Sequence, residues 1–164
     1  TTATKITLRR LARRHSTLTE EITDLDALLQ PLVARANPNL LQVHGIGAEV
    51  TAQLLTTAGG NPQRLHSEAA FAMLCGSAPL PASSGKTNRH RLTRGGDRQA
   101  NNALWRIALC RMKTHAPTRA YVTRRTAEGM SKPEIIRCLK RYMAREIYPI
   151  LIGSPPDAVR PSPA

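Results

Sequence analysis

The sequence predicts an all-α fold, in which a coiled-coil helix precedes a compact helical domain. Two observations lead to this prediction. Apolar residues recur at spacings of three and four along most of the chain, and no two segments alternate convincingly enough to be paired as strands. The chain has 164 residues, of which 41% are hydrophobic and 21% are charged. This is an ordinary globular composition, and the length is sufficient for one hydrophobic core.

The first segment carries a heptad seam in which apolar residues occupy every position except His15. The seam consists of Leu8, Leu11, His15, Leu18, Ile22, Leu25, Leu29 and Leu32. It predicts a coiled-coil arm over residues 1–34, which favours pairing of two copies or docking on another helix. His15 is interpreted as a polar seam residue that sets the register. We expect the helix to end near Gln30, because Pro31 lacks an amide hydrogen and its ring collides with the preceding turn.

A turn containing two glycines follows the arm. The Asn-Pro pair at residues 37–38 breaks the chain, and apolar residues then flank Gly45-Ile46-Gly47 and continue at helical spacing. The pattern predicts a helix-hairpin-helix over residues 40–58, in which Gly45 and Gly47 let backbone amides approach a DNA phosphate. The alternative is a plain packing corner between two helices, where glycine is also the usual residue.

A short helix over residues 67–74 is expected to end at Gly76. Residues 78–97 then form a polar segment rich in Pro, Ser, Gly and Arg, which predicts an exposed loop with two adjacent hydroxyls, Ser83 and Ser84. We call this segment the serine loop.

Three more helices follow, and together they span residues 98–148. Asp97 is expected to cap the first, which runs to about Lys113, and the second lies near residues 118–127. The buried face of the first is expected to contain Leu104, Trp105, Ile107, Ala108, Leu109 and Met112. A capping box of Ser131 and Glu134 starts the last helix. The helical domain is thus placed at residues 35–152, and residues 153–164, with four prolines, are expected to be a disordered tail.

Positive charge is concentrated in one part of the chain. The net charge is +13, and residues 81–145 hold 16 of the 24 lysines and arginines with only three acidic residues. Most of these cations are arginines, whose guanidinium groups suit bidentate phosphate contacts. Aromatic residues make up only 3% of the chain, so few side chains can stack on unpaired bases. The backbone of a duplex or a junction is therefore the expected partner. The alternative is a solvated basic face that only aids solubility.

The serine loop carries the residue types that are required for nucleophilic attack on a phosphodiester. A hydroxyl supplies the nucleophile, and surrounding cations stabilise the charge that develops on the phosphate oxygens. Without further context the same residues are more typical of an anion-binding nest. The residues expected to contact nucleic acid are Gly45, Gly47, Lys86, Arg89, Arg91, Arg94, Arg98, Arg137, Lys140 and Arg141.

No metal site, cofactor or membrane segment is expected in this chain. The carboxylates are scattered without a paired motif. Cys75, Cys110 and Cys138 lack the spacing of a zinc site or disulfide framework, so we expect reduced, buried thiols. No apolar run of membrane-spanning length or signal peptide is visible, and the expected location is the cytoplasm.

Five stretches occur in order between about residues 35 and 150, at residues 41–47, 71–79, 83–86, 94–101 and 138–146. Taken together they resemble the C-terminal half of the insertion-sequence one-ten family of transposases, also called one-sixteen and nine-oh-two. The most specific part is the Ser-Ser-Gly-Lys sequence at residues 83–86, followed by Arg-Gly-Gly-Asp-Arg at residues 94–98.

This resemblance implies a bacterial DNA transposase with three parts. They are an N-terminal domain like a Holliday-junction resolvase, whose acidic residues bind magnesium, then a coiled coil, and then a serine-bearing domain. It also implies that the serine attacks DNA to leave a 5′-phosphoserine linkage, and that a structured RNA guides the choice of target and donor. Ser84 matches the nucleophile, with Ser83 as the second choice. Since the chain opens at Thr1 inside the coiled coil, we expect a fragment, and we expect it to be inactive alone because the acidic metal-binding domain is missing from it.

Two other functions are weighed against this one. A non-catalytic module would bind DNA or RNA backbone, with Ser84 donating only a hydrogen bond. A remnant kept for coiled-coil interaction would show little salt-sensitive binding to nucleic acid.

Overall fold

A computed structural model of the chain describes residues 2–60, 64–85, 90–91, 93 and 95–153. Within these residues the protein is predominantly helical, and the all-α prediction is confirmed. In chain order the elements are α1 (Thr2–Ala36), α2 (Pro38–Leu41), α3 (Ala48–Ala58), α4 (Glu68–Leu74), β1 (Leu80–Pro81), β2 (His90–Arg91), α5 (Arg98–Thr114), α6 (Ala116–Ala127) and α7 (Lys132–Leu151). None of the helices described is long and apolar enough to cross a membrane. The predicted tail lies, from residue 154 onward, outside the described residues.

α1 is a helix of 35 residues, about 50 Å long. Its heptad seam faces solvent for most of its length. Exposure of 40 to 64% is found at Leu8, Leu11, Leu18, Ile22, Leu25 and Leu32. His15 is also exposed, whereas Leu29 is half-buried. The N-terminal part of α1 is therefore an arm with an uncovered apolar stripe.

The prediction that the first helix ends near Gln30 is wrong, because α1 continues through Pro31 to Ala36. The final turn is held by tertiary contacts that the sequence pattern does not reveal. α1 packs against α2 and α3, Val33 is buried, and the Val33 carbonyl oxygen accepts a hydrogen bond from the Asn37 amide at 2.9 Å. Burial of Val33 and the packing of this end of α1 on α2 and α3 offset the hydrogen bond that proline removes.

The hydrophobic core lies between α2, α3, α4, α5 and α7. α5 and α7 are central, since α5 packs on α3, α6 and α7, while α7 also packs on α2, α4 and α6. The largest fully buried apolar side chains are Leu40, Leu54, Phe71, Leu104, Ile107, Ile135, Met143 and Ile147.

The predicted helix starts are confirmed at three places. The Ser67 hydroxyl caps α4 by accepting a hydrogen bond from the Ala70 amide at 3.1 Å. The Asp97 carboxylate caps α5 by accepting from the amides of the next turn. At the start of α7, Glu134 reaches back to accept from the Ser131 amide at 3.0 Å. These side chains satisfy amides that have no partner within their own helix.

Some burial predictions are wrong. Trp105 was expected in the core, but it lies on the exposed strip of α5 together with Asn102 and Arg106. The three thiols also differ from one another: Cys75 is buried, Cys110 is exposed and Cys138 is half-buried. Burial raises the pKa of the Cys75 thiol to about 12. Trp105 and Cys110 are exposed because α5 is covered from three directions by α3, α6 and α7, which leaves a narrow strip in solvent.

We expect Asp97→Ala to lower the free energy of unfolding by about 1–2 kcal/mol, because α5 loses its cap. The Thr57 hydroxyl also loses an acceptor, which it contacts at 2.6 Å. Asp97→Asn keeps an oxygen for the cap and should lose less. Urea unfolding at neutral pH measures both changes.

The same variants test a pH dependence. Hydrogen bonds from Thr57 and from the amides of Gln99 and Ala100 lower the pKa of Asp97. The folded state therefore favours the carboxylate form of Asp97. The contribution of this carboxylate to the free energy of unfolding is complete above the unfolded pKa and is lost as the pH falls through the folded pKa. The stability gap between wild type and Asp97→Ala should narrow in acid. A gap that stays constant down to pH values below the folded pKa would contradict this account.

Candidate nucleic-acid interface

Two glycines close the base of the serine loop. Gly76 and Gly96 have φ angles of +59° and +92°, in the left-handed region that favours glycine. Their backbones are in close contact. A Cβ on Gly96 would lie 2.5 Å from the Leu74 carbonyl oxygen and 2.8 Å from the Gly76 nitrogen, so no side chain fits there. The Asp97 amide donates to the same Leu74 carbonyl oxygen at 2.6 Å, which joins the exit of the loop to its entrance.

Asn101, in the first turns of α5, connects this base to α7. Its amide nitrogen donates to the carbonyl oxygens of Cys75 at 2.8 Å and Gly76 at 2.9 Å. Its side-chain oxygen accepts a hydrogen bond from the Lys140 ammonium group at 2.9 Å. One side chain therefore holds the end of α4 and the face of α7 in a fixed relation.

Above its base, the serine loop forms a short antiparallel hairpin. Leu80 pairs with Arg91, and Pro81 pairs with His90. The Thr93 hydroxyl is buried and donates to the Ala78 carbonyl oxygen at 2.6 Å. No strand pair was expected from the sequence, and a two-residue ladder is too short to give a periodic signal.

Ser84 lies in the connection between β1 and β2 and is exposed, as are Ser83 and Gly85. Gly85 has a φ angle of +55°, so the chain turns directly after the serine. The predicted exposed loop with two adjacent hydroxyls is confirmed at residues 82–85. Three predicted basic contacts of the serine loop lie outside the described residues; they are Lys86, Arg89 and Arg94.

A groove with a volume of about 1070 Å³ lies beside the hairpin. One wall is the base of the serine loop, and the other contains the end of α6 and one face of α7. Basic side chains from these parts line it: His90, Arg91, Arg125, Arg137, Lys140, Arg141 and Arg145. Among the described lining residues, Glu134 carries the one carboxylate. We call this feature the basic groove.

Glu68 orients two arginines of α7 at the edge of the basic groove. Arg141 donates to one of its carboxylate oxygens at 2.7 Å, and Arg145 donates to the other at 3.0 Å. Burial by itself would raise the pKa of Glu68, but the hydrogen bonds from Arg141 and Arg145 outweigh it and lower that pKa. One carboxylate thus holds two guanidinium groups side by side.

Lys140 and Arg137 differ in accessibility, although both line the basic groove. Lys140 is only 6% exposed, and burial together with the nearby Arg137 charge lowers its pKa. Its ammonium group is engaged by Asn101, as described above. Arg137 is much more accessible, and its guanidinium group reaches Glu134 only at 3.9 Å. Arg137 is therefore the better placed of the two to meet a phosphate.

The carboxylates of the helical domain are engaged in contacts within the fold. These pair Glu49 with Arg106, Glu68 with Arg141 and Arg145, Asp97 with Thr57 and the start of α5, Glu128 with Arg125, Glu134 with Ser131, and Glu146 with Arg111. In the part of the chain that the structure describes, no three His, Cys, Asp or Glu side chains are grouped so that they could hold a metal ion.

The turn of the predicted helix-hairpin-helix is packed against α5. Gly45 has a φ angle of +83°, and a Cβ there would lie 3.4 Å from Cγ of Arg111. The Arg111 side chain is almost fully buried and donates to the His44 carbonyl oxygen at 2.8 Å. It also forms a two-point ion pair with Glu146, at 2.7 and 2.9 Å. Arg111 thus joins the turn, α5 and α7.

The start of α3 already carries a negative charge. Gly47 precedes the helix in extended backbone with open space around its α-carbon. Glu49 lies in the first turn and is bound by both terminal nitrogens of Arg106, whose hydrogen bonds lower the pKa of Glu49. A carboxylate at this position interacts with the positive end of the helix dipole, where a phosphate would otherwise bind. These contacts favour the packing corner, and phosphate binding at Gly45 and Gly47 stays a prediction.

The basic groove gathers some of the predicted contacts and adds others. Arg91, Arg137, Lys140 and Arg141 line it, whereas Arg98 is exposed at the start of α5 outside the lining. Asn101, Arg125 and Tyr142 were not among the residues predicted from the sequence to contact nucleic acid. Tyr142 directly follows Arg141 in a helix already identified as basic, so its position along the sequence was a usable signal. Arg125 comes from another helix, and only the packing of α6 on α7 brings it to the groove.

Residues 37–123, more than half of the chain, match the sequence model of the transposase IS116/IS110/IS902 family. The chain belongs to this family. The matched residues include α2 to α5, the serine loop and most of α6, whereas α7 lies beyond them.

Two curated relatives are proteins of insertion elements. The chain is 28% identical over 145 residues to the insertion element IS900 uncharacterized 42 kDa protein of Mycobacterium paratuberculosis. This alignment covers 87% of this chain and 36% of the relative. It is also 28% identical over 116 residues to the insertion element IS110 uncharacterized 43.6 kDa protein of Streptomyces coelicolor. This second alignment covers 70% of this chain and 28% of the relative. This member of the transposase family therefore spans about a third of the length of the relatives it matches.

We expect Gly96→Ala to lower the free energy of unfolding by about 2–4 kcal/mol, because the added carbon collides with backbone and the positive φ adds strain. Gly95→Ala is the matched control, since a Cβ there meets no atom within 4 Å, and it should change stability by less than about 0.5 kcal/mol. Urea unfolding of the two variants measures the difference. Equal losses in both would show that the close backbone contact does not stabilise the loop base.

Proposed function

We propose that this chain is the serine-bearing domain of a DNA transposase and that the Ser84 hydroxyl is the nucleophile in DNA strand cleavage. The observation that carries the proposal is the position of Ser84. It is exposed on a hairpin whose base lines the basic groove, so the hydroxyl and a cationic surface belong to one folded unit. Membership of the transposase family supports DNA as the substrate.

The proposed reaction is a phosphoryl transfer to serine. The Ser84 oxygen attacks the phosphorus, an O–P bond forms, and the bond from phosphorus to the 3′ oxygen breaks. The hydroxyl proton passes to solvent, and the departing 3′ oxygen takes a proton from solvent. Nearby guanidinium groups stabilise the negative charge that builds on the non-bridging oxygens. The product is a 5′-phosphoserine, which the 3′ hydroxyl of another strand can later displace.

The proposed assembly contains components beyond this chain. Magnesium is assigned to the carboxylates of a resolvase-like domain, in agreement with the resemblance to the family, because the carboxylates of this helical domain are already bound by arginines and helix amides. A guide RNA is the second proposed nucleic-acid partner, since its phosphates offer the same chemistry to the arginines as those of DNA.

The nucleophile is tested by isolating a covalent adduct. The chain is incubated with duplex DNA, magnesium and the resolvase-like domain of a family member added as a separate protein. We expect a DNA 5′ end linked to a peptide that contains Ser84. Ser83→Ala, the neighbouring control, should still form the adduct, whereas Ser84→Ala should not. An adduct that persists at normal yield in Ser84→Ala would show that the nucleophile is wrongly assigned.

The alternative, a non-catalytic module that binds nucleic-acid backbone, gives a different result in the same samples. The basic groove supports binding whether or not the serine reacts. In that case Ser84→Ala would raise the Kd for DNA by about fivefold, the effect of one lost hydrogen bond. No adduct would form with either protein.

We also propose that the exposed seam of α1 pairs with a second copy of the chain. A row of leucine and isoleucine side chains on one helix face matches the arrangement that buries apolar surface between two helices.

Leu18→Glu combined with Leu25→Glu should therefore make the protein monomeric at concentrations where the wild type is a dimer, because two charges enter the apolar seam. The control is Ser16→Glu combined with Ala27→Glu, which adds the same charges at exposed positions outside the seam. Sedimentation equilibrium measures the mass. A wild-type protein that stays monomeric at high concentration would contradict the pairing.

A further inference from the structure

We propose that the basic groove holds a short stretch of single-stranded nucleic acid, with one base stacked on Tyr142 and the flanking phosphates bound by the surrounding arginines. The inference rests on the proposed function, in which the chain handles nucleic acid. It deepens that function by assigning the form of strand that the groove accepts.

The first support is an excess of hydrogen-bond donors. Nε of Arg125 and Nη1 of Arg141 are buried and have no hydrogen-bond partner within the described residues. Glu128 and Glu68 pair with other nitrogens of these two guanidinium groups, so each arginine is only partly satisfied. Both line the basic groove. Unmet donors of this kind are costly, and a small rotation of either long side chain would present them to an entering phosphate.

The second support is the surplus of charge. Six lysine and arginine side chains line the groove, whereas Glu134 is the one acidic residue among its described lining residues. The neighbouring Glu68 and Glu128 reduce the surplus but do not remove it. The weak contact of Arg137 with Glu134 leaves its guanidinium group available. A polyanion is therefore the ligand class that matches this lining.

The third support is an aromatic ring among these cations. Tyr142 lines the groove and is 41% exposed. Its ring meets Tyr121 at 87°, with the ring centroids 5.7 Å apart. The guanidinium carbons of Arg124 and Arg125 lie 5.7 and 6.0 Å from the Tyr121 centroid, so Tyr121 is a fixed support. Tyr142 is the ring that a base can reach, and stacking on it is open to every base.

The size of the groove is compatible with a short single strand. A volume of about 1070 Å³ is near the upper end of pockets that enclose a drug-sized molecule, roughly 300–1,000 Å³, so it accommodates a few nucleotides. A duplex keeps its bases stacked on one another and offers no free base face to Tyr142. The low aromatic content of the chain favoured duplex as the partner, but the fold places Tyr142, supported by Tyr121, where the cations converge.

Binding of fluorescein-labelled oligothymidylate to the full 164-residue chain tests the proposal by anisotropy. We expect Tyr142→Ala to raise the Kd about tenfold, the effect of one lost stacking contact, and Tyr142→Phe to leave it within twofold. Trp105→Ala is the matched control, because Trp105 is 42% exposed and lies outside the groove. Its Kd should not change.

The phosphate contacts are tested through the salt dependence of the same binding. Arg137→Gln should reduce the slope of log affinity against log salt by about 0.7, as expected for one lost phosphate contact on a single strand. Arg119→Gln, an exposed arginine on α6 outside the lining, should leave the slope unchanged. An oligouridylate arm distinguishes RNA from DNA as the strand that the groove prefers.

A photochemical measurement covers the case in which Tyr142→Ala fails to fold. Oligothymidylate carrying 5-iodouracil should cross-link the wild-type chain at Tyr142, as mapped by mass spectrometry. Cross-linking only elsewhere would overturn the proposal, and so would a Tyr142→Ala Kd equal to that of wild type. Duplex or inorganic phosphate that displaces the oligonucleotide with equal potency would overturn it as well. The Ser84 adduct assay is scored separately, so these failures leave the proposed nucleophile standing.

Discussion

The architecture of the site depends on the close contact of two glycine backbones. Gly76 ends the segment that enters the serine loop, and Gly96 begins the segment that leaves it. A β-carbon at Gly96 would occupy the space that the Leu74 carbonyl oxygen already fills. Because the two segments touch, the serine loop leaves the helical domain and returns to it at the same place. Asn101 then fixes the base of the serine loop to α7.

The arginines are divided between those in structural ion pairs and those that line the basic groove. Arg111 and Arg106 are bound by carboxylates in two-point ion pairs and act as structural links. Around the groove the described acidic partners are fewer than the basic side chains, and buried nitrogens of Arg125 and Arg141 have no hydrogen-bond partner among the residues that the structure describes. A high net charge therefore does not mean that every arginine contacts a phosphate.

The motifs that resemble the transposase family have structural roles that can be read residue by residue. In the segment at residues 94–101, Gly96 permits the backbone contact, Asp97 caps α5, and Asn101 binds the entrance of the loop. These residues hold the base of the serine loop and do not supply the proposed reacting group. The proposed nucleophile, Ser84, is exposed. A rigid base with an exposed hydroxyl is a suitable arrangement for presenting a nucleophile to a large substrate.

The sequence alone determined the helical class, most helix starts and the exposure of Ser84. These properties are local: the capping residues Ser67, Asp97 and Glu134 act within one turn, and a polar segment between apolar helices cannot be buried. Tertiary structure decided the rest. The passage of α1 through Pro31, the exposure of Trp105 and the grouping of Arg125 with Tyr142 depend on which helices pack together. The free energy gained when distant residues are buried together exceeds local helix preferences. The spacing of apolar residues along one helix does not show which neighbouring element covers that helix.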